Sequence, residues 1–172
     1  MKNSRRYYAL GLAFVCLTCF APAVVNAQDA ATVLAGAELT RVTPPGFYFQ
    51  GLSAPTQMRN AAVARFGSKR YVIVGLVDTS GYAADVRAKY EGFFITDSAI
   101  SINGTALGIG AYGFGFSEDG KMQILDLAGN QVLSVATTKD AVLKRPRPLM
   151  MLKAADGLRL YRGKDYIVIK TN

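Results

Sequence analysis

The stretch Ile73-Val74-Gly75-Leu76-Val77-Asp78-Thr79-Ser80-Gly81-Tyr82 runs an apolar strand straight into a carboxylate. A carboxylate placed there can activate water if a second one lies in near contact and the two share a proton. A second set is Lys144-Arg145-Pro146-Arg147-Pro148, three cations on a proline-stiffened loop. Lys144, Arg145 and Arg147 are therefore candidates for gripping phosphate or sulfate groups, although such runs are more often solvated linkers. Glu118-Asp119-Gly120 pairs two acids, but in the composition of a hairpin turn. The chain has no histidine, which removes the commonest general base and the commonest zinc ligand. No acidic cluster has calcium-loop spacing, so no metal ligands and no cofactor are assigned. The glycines between Gly108 and Gly115 precede no helix, so they do not form a nucleotide loop.

The Asp78 segment resembles the catalytic strand-turn of retroviral-type aspartic proteases, in which Asp, Thr or Ser, and Gly follow an apolar strand. Leu76-Val77-Asp78-Thr79 fits that pattern. Ser80 stands where the family has the glycine that lets two turns approach closely. A hairpin precedes the aspartate, a Gly-rich hairpin follows it, and Leu160-Tyr161-Arg162-Gly163-Lys164-Asp165 is similar to the supporting segment, with Arg162 in place of an apolar residue. The resemblance implies a dimeric hydrolase using Asp78. The same residues also read as a helix cap, Asp and Thr ahead of a helix that begins at Tyr82, with Ser-Gly making the turn.

The elements that must position these groups are mostly strands. Gly46–Leu52 reads as a first strand, and Met58–Phe66 fits neither the helical nor the strand period cleanly. Arg70–Val77 is a continuous β-branched run, expected to be the most buried strand. Tyr82, Val86 and Tyr90 recur every fourth residue, with Asp85 and Lys89 four apart and Gly92 as a stop. This predicts one short helix near residues 82–91. From there Asn-Gly, Asp-Gly and Gly-Asn turns punctuate short apolar runs to the end of the chain. The expected fold is all-β, an antiparallel sandwich or barrel of about eight strands.

In Ala111-Tyr112-Gly113-Phe114-Gly115-Phe116, alternation puts Tyr112, Phe114 and Phe116 on one face and leaves the other nearly bare. Bare strand faces mean close approach by something else. Tyr112, Gly113 and Gly115 are thus candidates for contacting a small apolar ligand, and a stacked side chain or neighbouring sheet is the commoner reason for such glycines.

Residues 1–27 read as a cleaved signal peptide, with Lys2, Arg5 and Arg6 ahead of an apolar run and Val25-Asn26-Ala27 at the cleavage site. Removing these 27 of 172 residues leaves 145, enough for one domain with a core. Both cysteines leave with the leader, and 17 basic residues then face 12 acidic ones. Residues 28–45 read as a loosely held lead-in and 46–172 as a single β domain. The functional expectation is an exported domain, periplasmic or extracellular, without a stable membrane span after cleavage. It would act by binding a small ligand or an envelope protein or polymer, and nucleic acid is not an expected partner. Its oligomeric state is open.

Overall fold

The computed structural model describes residues 31–171; the signal-peptide reading falls outside them. They form a two-sheet, antiparallel β sandwich, as the turn spacing implies. The strands are β1 (Thr32–Val33), β2 (Gly46–Phe49), β3 (Leu52–Phe66), β4 (Arg70–Val77), β5 (Gly92–Thr96), β6 (Ile100–Ile102) and β7 (Thr105–Leu107). They continue with β8 (Gly110–Ser117), β9 (Lys121–Leu125), β10 (Gln131–Ala136), β11 (Thr138–Lys139), β12 (Arg147–Ala154), β13 (Gly157–Gly163) and β14 (Asp165–Thr171). Two helices accompany them, α1 (Gly36–Val42) and α2 (Ala84–Arg87). The larger sheet has the order β1-β3-β4-β5-β8-β9-β10 with β2 paired to β3, and the smaller has β12-β13-β14-β6-β7 with β11 on β14.

The run Gly92–Ile102, which no glycine or proline turn interrupts, is divided between the sheets. Thr96 Oγ1 donates to the Ser98 carbonyl at 2.7 Å, and Asp97 Oδ1 accepts the Tyr71 amide at 2.7 Å. These bonds turn the chain so that β5 stays in the larger sheet and β6 enters the smaller. The Asn103-Gly104 turn joins β6 to β7 with φ of 49° and 84°, the doubly positive geometry that the right-handed twist of a hairpin favours. Both ends of the Asn103 amide are used, Nδ2 donating to Ala136 and Oδ1 accepting from Val168.

The main core lies between the sheets and includes Val72, Val74, Phe94, Phe114 and Ile124 from one and Ile102, Leu149, Leu160, Ile167 and Ile169 from the other. A second core covers the back of the larger sheet, where Phe47, Phe49, Tyr82, Tyr90 and Phe93 pack together. Strand β4 is therefore buried on both faces, which is why its sequence is apolar without alternation.

Strand β3 serves both cores through a wide bulge. Thr56 pairs with Val77 and Ala61 with Gly75, so residues 57–60 stand opposite the single residue Leu76. An odd register offset exchanges the faces of a strand. Accordingly Ala54 packs in the second core, while Ala62 and Ala64 pack in the main one. The β2–β3 hairpin crosses the back of the larger sheet, and Gln50 at its tip bonds to the β9–β10 turn through Leu127 and Ala128.

The helix expected over 82–91 is shorter. Only Ala84–Arg87 is helical, because Tyr82 and Tyr90 are drawn into the second core and Gly92 must lie against the backbone of Gly75. The described part of the lead-in, residues 31–45, is more ordered than its composition implies. Strand β1 joins the larger sheet through Thr32↔Arg65 and Val33↔Ala64, and α1 follows it directly.

Candidate functional site

Asp78 directly follows β4 and is exposed. Its amide donates to Pro55, and its Oδ1 accepts the Ser80 amide at 3.0 Å. Bonds from the Ser80 backbone and then its side chain hold the Asp78 carboxyl below the usual carboxylate range. In the single chain such a group is ionised. Asp78 also does not cap the helix, correcting that expectation. The cap position of α2 is Ala83, without a side-chain bond, and Tyr82 N donates to Thr79 O to close a turn instead. Arg162, which departs from the protease pattern, forms a two-pronged pair with Glu91 at 3.0 and 3.1 Å, tying β13 to the segment before β5.

The bare face of β8 is filled by the chain itself. A Cβ on Gly113 would lie 2.5 Å from the Phe49 ring, and one on Gly115 would collide with the Lys89 carbonyl. Room for a ligand behind Gly113 and Gly115 is thus taken by the second core. Tyr112 packs on the opposite side against the main core, its hydroxyl donating to Gly108 at 3.2 Å.

The three loop cations separate. Lys144 and Arg145 are exposed in the loop ahead of β12, whose shape is set by Asp140. The Asp140 carboxylate accepts the amides of Val142 and Leu143 and the Tyr161 hydroxyl. Arg147 opens β12 and lines a groove of about 360 Å³ between α1, β3 and β12. The apolar lining includes Leu39, Met58, Leu149, Met150 and Met151, and Arg59 joins Arg147 as its second cation. No acid lines it. Neither arginine has an ion-pair or hydrogen-bond partner among the described residues.

Local structure explains the groove. The β3 bulge releases Met58 and Arg59 from regular pairing with β4, and Gln57 Nε2 fixes the bulge by donating to Val77 O at 2.9 Å. Helix α1 forms the opposite wall and has no buried residue and no side-chain N-cap. It is tethered at its ends. Leu34 N donates to Val63 O before it, and Thr56 bonds to the carbonyls of Pro44 and Pro45 after it. Gly36, with φ of +56° and open space around it, makes the corner into the helix.

Arg59 and Met58 carried no assignment in the sequence. Their signal is the failure of Met58–Phe66 to keep one period, which is what an odd bulge does to a strand. A smaller depression, about 230 Å³, lies between Lys153, Asp156 and Lys170 at one end of the sandwich. Its carboxylate is already engaged, since Asp156 binds Arg159 at 2.9 Å and is held below its ordinary pKa by it. No helix among the described residues is long and apolar enough to cross a membrane. Comparison with protein-family models, curated proteins and solved structures finds no match.

Proposed function

We propose that the protein is an exported β sandwich that acts by binding, and that its site is the groove beneath α1. The lining of that groove is the observation that carries the reading. It joins apolar side chains to two arginines that pair with no other described residue, in a volume typical of the smaller ligand sites. The ligand is a small molecule or a projecting part of an envelope component. Helix α1 is a surface element held at its ends, which suits a wall that yields as a ligand enters. Asp78 has no part in this function. Its ionised, Ser80-bonded carboxylate favours a turn-forming role over that of a shared-proton catalyst.

The test uses Nile red, a neutral apolar dye, titrated into the purified protein. Saturable binding is expected for wild type. Thr40→Trp, at an exposed α1 position lining the groove, should weaken it at least tenfold. Val142→Trp, at a loop position 83 % exposed and outside the groove, should leave it unchanged. Equal binding by wild type and Thr40→Trp would overturn the assignment of the groove.

A further inference from the structure

We infer that the groove is built for an anionic amphiphile, with one compact anionic head held by Arg59 and Arg147 and an apolar tail laid along Leu39, Met58 and Met150 beneath α1. The inference rests on the groove being the binding site and specifies what that site takes.

Charge supplies the first argument. Two arginines line one groove, no carboxylate among the described residues lines it, and neither arginine is paired with another described residue. The planar guanidinium fork matches carboxylate and phosphate oxygens two at a time, so two forks at one site favour a single compact oxyanion. A neutral lipid would leave both cations without a partner beside its tail.

The floor supplies the second. A polyanion or a free inorganic ion would use the arginines and leave the half-exposed apolar surface of Leu39, Met58 and Met150 in water. Two of these three side chains are methionines. Their flexible, polarizable thioethers adapt to an irregular or mobile chain better than branched side chains do. The volume, about 360 Å³, is at the low end for small-molecule sites, which fits one slender tail better than a bulky ring system.

The covering helix supplies the third. Because α1 buries none of its own residues and is tethered through Leu34 on one side and Pro44–Pro45 on the other, it can move away without opening the main core. Gly36 gives this movement a hinge at the start of the helix. The tail would enter under α1, and the head would remain at the surface, where both arginines are exposed.

A carboxylate head and a phosphate head share this chemistry, and calorimetry separates them. Dodecanoate, dodecyl phosphate, dodecanol and inorganic phosphate are titrated below their aggregation concentrations into wild type and Arg59→Gln/Arg147→Gln. At least one anionic amphiphile is expected to bind about tenfold or more tightly than dodecanol, as charged hydrogen bonds imply. The tighter of the two identifies the head. The double variant should lose this preference while keeping its affinity for dodecanol and its thermal transition. If it loses its native transition, Arg147→Gln alone should show the same loss at smaller amplitude. Equal binding of dodecanol and both anions by wild type would overturn the inference while leaving the groove as an apolar site. Binding of Nile red without any dodecyl compound would overturn it too, as would inorganic phosphate binding as well as the amphiphiles. Failure of Nile red to respond to Thr40→Trp would instead remove the groove itself.

Discussion

Gly113→Ala tests whether the glycine face of β8 is a packing surface. The added Cβ would sit 2.5 Å from the Phe49 ring, where carbon atoms rest comfortably at about 3.5–4.0 Å. The ring cannot simply retreat, because Phe49 is 0 % exposed and stacked on Tyr90 with centroids 3.9 Å apart. Overpacking of this kind costs about 1–3 kcal/mol. Replacing glycine where an L-residue's φ is allowed returns about 0.4–1 kcal/mol through the unfolded chain, so the steric effect wins. The net expectation is a loss of about 1–2 kcal/mol, or roughly 3–6 °C in Tm. Leucine at position 49 lacks the ring's outer atoms. In a Phe49→Leu background the closest contact, to the ring Cε2, is removed, so the cost of Gly113→Ala should fall towards zero. Urea denaturation of the four proteins of this cycle measures the coupling directly. Equal costs in both backgrounds, or a wild-type protein stabilised by Gly113→Ala, would refute the packing account.

Tyr90 is wholly buried, and its hydroxyl has no hydrogen-bond partner among the described residues. Burial accordingly pushes its pKa up. Tyr90→Phe removes that uncompensated group and should be neutral or stabilising by about 1 kcal/mol in urea denaturation; a loss of 1 kcal/mol or more would show a partner for the hydroxyl. Asp156 has its folded-state pKa lowered by hydrogen bonding to Arg159. Its contribution to stability is complete above the unfolded carboxylate pKa, about 3.9, and is lost as pH falls through the lower folded value. Asp156→Asn should therefore flatten the fall in stability below about pH 4, and an unchanged acid limb would count against the Asp156–Arg159 pair.

How far the fold could be read depended on whether a residue's role was local. The Asn103-Gly104 turn was legible because both of its residues adopt positive φ, a demand the dipeptide itself announces. Arg70–Val77 was legible as a doubly buried strand because it shows no alternation. The division of Gly92–Ile102 between two sheets was not, since it turns on the bonds made by Thr96 and Asp97. The helix after Asp78 was over-read. Tyr82 and Tyr90 keep helical spacing, but both serve the aromatic second core rather than one helix face. Of the candidate site, only Arg147 was visible in advance, as one of three clustered cations. Arg59 and Met58 reach the groove through a bulge whose register is fixed by β4, a partner remote in the chain. The arrangement of α1 over them depends on a hydrogen bond to the Val63 carbonyl and on bonds from Thr56, both remote from the helix.

Methionine methyl groups offer the most direct test of the binding site. Met58 and Met150 line the groove and are half-exposed, whereas Met122 is 0 % exposed in the main core between the sheets. In protein labelled with ¹³C at the methionine methyls, dodecanoate should shift the resonances of Met58 and Met150 along one saturable curve and leave Met122 in place. Dodecanoate that binds while shifting neither of the two, or that moves Met122 alone, would contradict the account.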